Sequence, residues 1–178
     1  DSESRGLGDV YKRQVAAIHP FYTAAVREFE DAGKPIIGSA PVGVEGTNSW
    51  IDSVGDTFNI AKKIIGEAKK KILPQIQKSL DDKKINNKIT VSGYEGSELI
   101  VARTLIEAGA EVPYVGTACP KTKWSAEDKD WLESRGVFIK FRASLEDDIS
   151  AVKSVNPDLA IGTTPVVQKA KELGIPSL

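Results

Sequence analysis

The sequence predicts an α/β fold: a Rossmann-like parallel-sheet domain preceded by the remnant of a second α/β domain. Three observations carry this expectation. Lys88-Ile-Thr-Val-Ser-Gly-Tyr-Glu-Gly-Ser97 reads as a β-branched strand, a glycine turn and the start of an apolar-periodic helix. That order is the opening unit of a parallel sheet. The same rhythm repeats from Ala110 to Leu178, and a smaller strand–helix–strand unit, residues 15–38, stands upstream.

The bulk numbers set bounds. The 178 residues suit one large domain or two small ones, and 40% hydrophobic with 28% charged residues is a globular balance. A net charge of −1 points away from nucleic acid and anionic membranes. No apolar run reaches the roughly 20 residues a transmembrane helix needs. A single Cys, with no signal peptide, points to a cytoplasmic compartment. The chain has no Met and stops just as Ile175-Pro-Ser-Leu178 reads as a new strand, so a fragment is expected. Residues 1–14 fit nothing after them. Leu7 to Gln14 resembles translated adaptor sequence, and the head is set aside as adaptor-like or disordered.

Val15 to Ile18 is a short buried-strand candidate that His19-Pro20 ends. Phe21 to Ala32 follows as a helix with Ala25, Phe29 and Ala32 on one face. Lys34 to Gly38 is the next strand, and Ser39 to Gly46, with its Pro and glycines, is a loop. The remnant therefore spans 15–46. Connecting helices and a linker span 47–87. Thr47 or Asn48 caps the first helix. Phe58, Ala61, Ile65, Ala68, Ile72 and Ile76 mark an amphipathic stretch that Pro74 should kink or split.

The Rossmann-like domain spans 88–178, truncated at its C-terminus. Its first helix carries Leu99, Ala102, Leu105 and Ile106. Strand Glu111–Gly116 contains Pro113, which needs a place where one donor is dispensable. Ser125 with Asp128, and Ser144 with Asp147, read as capping boxes. Leu145, Ile149 and Val152 face inward on one helix, and Val166, Ala170 and Leu173 on the last. Asn156-Pro157 ends a helix. Thr164 caps the last one, with Pro165 at its first position. In the usual doubly wound order the strand at Lys88 lies beside the strand at Asp158, and a ligand crevice opens between their carboxyl ends. Gly93–Ser97 and Thr163–Thr164 would meet there.

The chemistry legible from residues alone is limited. Gly93-x-x-Gly96 is not the full dinucleotide fingerprint, and Gly116-Thr117 stands where an acidic residue would follow, so a nicotinamide cofactor is disfavoured. A ligand role and a purely conformational role for these glycines stay equally open. Thr163-Thr164 reads first as a cap and second as a binding pair. His19, at the end of a strand, is more often a packed or surface residue than a functional one. Cys119 stands alone, so neither a zinc site nor an iron–sulfur cluster, which usually needs four thiolates, can be completed here; metal ligands are expected to be none.

Val15-Ala-Ala-Ile-His-Pro-Phe-Tyr-Thr23, Ile37-Gly-Ser-Ala-Pro-Val-Gly43, Val91-Ser-Gly-Tyr-Glu-Gly-Ser-Glu-Leu99, Pro113-Tyr-Val-Gly-Thr-Ala-Cys-Pro120 and Asp158 to Lys171 add a resemblance. Together they resemble the Y-subunit family of the chlorophyllide a reductases, nitrogenase-like oxidoreductases of the component 1 type in bacteriochlorophyll synthesis. The resemblance implies pairing with a Z subunit, as a heterotetramer in that family, and docking of an ATP-dependent iron–sulfur reductase. It implies a [4Fe–4S] cluster whose Y-subunit ligands lie outside this chain, with ATP used by the partner reductase. It implies reduction of the C7=C8 bond of chlorophyllide a ring B, and no activity from the fragment alone. Nitrogenase holds its metal cofactor by a cysteine just after the corresponding first strand. Here His19-Pro20 stands instead, which frees the cavity for a tetrapyrrole. His19, Phe21 and Tyr22 from one domain, and Tyr94, Glu95, Gly96 and Ser97 from the other, are expected to line it with Thr163 and Thr164. Helix amides would suit the pigment's propionate, and His19 or Glu95 would relay a proton. Two other readings remain: a non-catalytic subunit-interface module, and a nucleotide-sugar or phosphate-binding domain.

Overall fold

The computed structural model describes residues 15–17, 23–38 and 40–178. Strands β1 (Val15–Ala17) and β2 (Ile36–Gly38) pair in parallel and are joined through helix α1 (Thr23–Asp31). Helices α2 (Gly43–Thr57) and α3 (Lys62–Asp81) then lead to a larger sheet. Its strands are β3 (Lys88–Gly93), β4 (Glu111–Thr117), β5 (Phe138–Phe141) and β6 (Leu159–Ile161). All pairings are parallel, in the order β5-β4-β3-β6. Helices α4 (Glu98–Glu107), α5 (Ala126–Glu133), α6 (Leu145–Val155) and α7 (Thr164–Glu172) cross between and after them. The chain steps outward from β3 to β5 and then returns to the other side of β3. This reversal is the doubly wound arrangement that the strand–helix rhythm predicts.

β-branched and small residues build two buried layers. Ile89 and Val91 of β3 and Val115 of β4 pack with Leu99, Ala102 and Leu132 on one face. Val152, Ala160, Val166, Ala170 and Ile175 pack on the other. The final residues follow β6: Leu178 donates to the Ala160 carbonyl at 3.0 Å, and Ala160 and Ser177 form a parallel bridge. Lys88 pairs with Glu111 but Thr90 pairs with Tyr114, so β4 carries one extra residue there. Pro113 sits in this bulge, where a missing amide costs the ladder nothing.

Several expectations are corrected. The region expected as the loop Ser39–Gly46 is helical from Gly43, and Thr47 and Asn48 lie inside α2, whose N-cap is Val42. The cap comes from a distance: the Glu107 carboxylate on α4 accepts from the amides of Val44 and Glu45. Pro74 does not split α3, which is continuous through it. Both Pro74 and Lys70, whose carbonyl loses its partner, are exposed, so solvent can take that carbonyl's bond. On α1 the buried residue is Val26; Ala25, Phe29 and Ala32 are exposed. Leu145 and Leu173 are also exposed, while Asp148 on α6 is buried. Ser125 makes its capping box with Thr122 in a 3-10 turn, and Asp128 turns inward to Arg103. The last helix is capped one residue earlier, at Thr163. The Ser144–Asp147 box forms as its spacing predicts, and Asn156 ends α6 in the left-handed region at φ 48°.

Candidate functional site

The carboxyl ends of β3 and β6 open into a crevice of about 310 Å³. That is at the small end of ligand pockets, which run roughly 300–1,000 Å³. One wall is the turn after β3, with Gly93, Tyr94, Glu95, Ser97 and Glu98; the other is Gly162, Thr163 and Thr164. The order reversal around β3 produces this opening, because α4 and α7 leave the sheet in opposite directions.

The β3 turn is shaped by Glu98. Its carboxylate, only 5% exposed, folds back and accepts from the Glu95 amide at 3.0 Å through Oε1. A Cβ at Gly93 would lie 2.3 Å from that oxygen, so glycine is required for the carboxylate to enter. Gly96 has φ +83°, which permits the turn into α4. On the opposite wall Thr163 caps α7 without a side-chain bond, so neither threonine hydroxyl is spent on capping.

The structure therefore brings together Tyr94, Glu95, Ser97, Thr163 and Thr164. Gly96 is buried beneath the turn and does not line the crevice. His19, Phe21 and Tyr22 lie outside the described residues. Tyr94 is 61% exposed at the rim, its ring available to a flat partner. One amide expected to receive an anion, that of Glu95, is already bonded to Glu98. Sequence reasoning missed Glu98. Its signal was the glycine pair itself, since Gly93 clears space for an acidic side chain five residues on.

Two buried polar groups lie beside the site. Cys119 is 1% exposed, with Sγ 3.9 Å from the Tyr94 carbonyl. Burial pushes its thiol up from the ordinary value; Thr117 pulls the other way and Glu98 adds to the rise. Asp148 reaches from α6 to the Tyr114 hydroxyl, and Gly116 leaves the room for it: a Cβ there would lie 1.9 Å from Asp148 Oδ1. Among the described residues no group of three or more His, Cys, Asp or Glu is placed to hold a metal ion. No helix among them is long and apolar enough to cross a membrane.

A parallel sheet with its crevice at the reversal of strand order defines a doubly wound α/β domain. The chain belongs to the nitrogenase component 1 type oxidoreductase family, whose model it matches over residues 13–178. It is 62% identical over 163 residues to the chlorophyllide reductase 52.5 kDa chain of Cereibacter sphaeroides, covering 92% of this chain and 32% of that one. The chain of the same name from Rhodobacter capsulatus is 62% identical over 164 residues, covering 92% and 33%. The light-independent protochlorophyllide reductase subunit N of Prochlorococcus marinus is 24% identical over 153 residues, covering 83% and 36%. The chain thus spans about a third of the length of the curated relatives it matches. Among solved structures, nitrogenase Cp1 at pH 5 matches with a TM-score of 0.68 at 12% identity, covering 93% of this chain and 41% of that one. A chain of nitrogenase Cp1 at pH 6.5 gives 0.63 at 20%, covering 93% and 38%. These two likenesses bear on the fold, which is that of a nitrogenase component 1 chain over part of its length.

Proposed function

We propose that this chain is the crevice-bearing part of the Y subunit of a chlorophyllide a reductase, which reduces the C7=C8 bond of ring B. The observation that carries the reading is the 62% identity over 163 residues to a chain named for chlorophyllide reduction. Tyr94 offers an aromatic face to the macrocycle, and the Thr163 and Thr164 hydroxyls offer hydrogen bonds to its polar edge. His19, Phe21 and Tyr22 would complete the wall from the end of β1. Glu95, exposed at the mouth, and His19 are the proton-relay candidates.

The partners in this reading are a Z subunit and an ATP-dependent iron–sulfur reductase. A [4Fe–4S] cluster would pass electrons to the pigment. The described residues do not fit such a cluster: Cys119 is alone, buried and turned toward a backbone carbonyl. Its ligands would come from other parts of the complex.

The test is turnover by the full-length subunit assembled with its partners under ATP. Chlorophyllide a should be consumed with the red shift in absorption that saturating a ring B double bond brings. Consumption of protochlorophyllide instead would overturn the substrate assignment. A second reading, an interface module without pigment contact, is favoured by α3. That helix buries no residue fully and leaves Ile64 58% and Ile72 40% exposed. Unchanged pigment affinity in crevice variants would select it.

A further inference from the structure

The crevice between β3 and β6 carries charge of one sign. Its walls hold two carboxylates, Glu95 at the mouth and Glu98 in the turn, and among the described residues no Lys, Arg or His lines it. Both helix starts that meet there are poor places for an anion. At α4, Glu98 Oε1 already accepts from the Glu95 amide at 3.0 Å, so the chain's own carboxylate takes the position an anion would use. At α7, Pro165 removes one of the first-turn amides. The field of Glu98 also reaches beyond the wall. Cys119 and Asp148 are both held above their ordinary values, by burial first and with Glu98 among the further causes. The capping residues, by contrast, keep their hydroxyls. Neither Ser97 at the start of α4 nor Thr163 at the start of α7 bonds its own helix through its side chain. A hydroxyl donates to a neutral carbonyl without needing a charge on it, while carboxylates repel a charged group brought alongside them.

We propose that Glu95 and Glu98 are specificity-determining residues that bar anionic groups from the crevice, so that the ligand edge admitted is uncharged and takes hydrogen bonds from the hydroxyls of Ser97, Thr163 and Thr164. This rests on the pigment reading above and narrows it. Pockets of roughly 300–1,000 Å³ enclose drug-sized ligands, and a tetrapyrrole is larger than those. At about 310 Å³ the crevice has room for one edge of such a ring and not for the whole of it. The edge that enters is a carbonyl-bearing one, and the propionate stays outside. The helix amides that the sequence offered to a propionate are therefore not its site.

The test uses the full-length subunit in its complex and two probes, chlorophyllide a and the neutral methyl ester of its propionate. Thr164→Val removes a hydroxyl from an exposed position and keeps the side-chain shape. It should raise Kd for both pigments by the same factor, about threefold to tenfold, as loss of a neutral hydrogen bond gives. Weakening of the acid with the ester untouched would place the propionate on the hydroxyls and overturn the proposal. No weakening of either pigment by T164V, with clear weakening by Tyr94→Ala, would overturn the hydroxyl contact and leave the crevice reading standing. No weakening by either variant would sink the crevice reading itself. Inorganic phosphate tests the carboxylates. Glu98→Gln keeps an oxygen for the Glu95 amide, so the turn is retained. In the double variant E95Q/E98Q, phosphate should displace the ester at least about tenfold more readily than in the wild type. Equal displacement from both would show that the two carboxylates do not select against anions, and would overturn their role.

Discussion

The Tyr114 hydroxyl donates to Asp148 Oδ1 at 2.8 Å, and both residues are buried between β4 and α6. Burial holds the Asp148 carboxyl above its ordinary value near 3.8; the Tyr114 bond counters part of this, while Asp147 and Glu98 add to the rise. Burial, then Asp148, pushes the phenol up as well. A carboxyl whose folded value is raised binds its proton more tightly when folded, so ionising it costs stability as pH rises above 3.8. Tyr114→Phe removes the bond that favours the ionised form. It should destabilise the chain by about 1–3 kcal/mol at neutral pH. The deficit relative to wild type should shrink as pH falls and Asp148, whose carboxyl burial holds above its ordinary value, takes up its proton. Denaturant unfolding across this range checks it; a deficit that grows on acidification would contradict the sign.

Arg103 and Asp128 meet at 2.5 Å between α4 and α5, with the Arg103 side chain 2% exposed. The guanidinium also lies 4.8 Å from the centre of the Trp131 ring. Removing one partner strands a buried charge. Asp128→Leu alone should cost about 3–5 kcal/mol, and adding Arg103→Met should recover most of it. A double-mutant cycle by denaturant unfolding measures the coupling, and additive losses would show that the pair is not the connection between these helices.

Glu107 ties α2 to the larger sheet by accepting from its first amides. Glu45, one of those residues, returns the link through Arg135 at 2.9 Å and Trp131 Nε1 at 2.7 Å. Glu107→Ala should lower stability by about 0.5–2 kcal/mol, the cost of a lost cap. Hydrogen exchange at Val44 and Glu45 should speed up while β3 amides stay protected. Exchange unchanged at α2 would show that the helix start is held by something else.

The neighbouring of β3 and β6, the Ser144–Asp147 box and the meeting of the turn after β3 with Thr163–Thr164 were legible because each rests on local periodicity or on a spacing of a few residues. The start of α2 was not: its cap is Glu107, 62 residues from Glu45, and no window of sequence contains both. Asp128 and Asp148 looked like first-turn helix acids and are buried partners of Arg103 and Tyr114 instead. Gly116 read as the absence of an acidic residue; the structure fills that space with one from another helix. Glu98 was hidden for a related reason, since an acid at a helix start is usually solvated.

The proposed pigment site is tested most directly by the density of the full-length complex with chlorophyllide a bound. The account predicts a macrocycle seated against the turn after β3 on one side and Thr163–Thr164 on the other. Pigment density confined to surfaces away from the β3–β6 crevice, with the crevice closed, would contradict it.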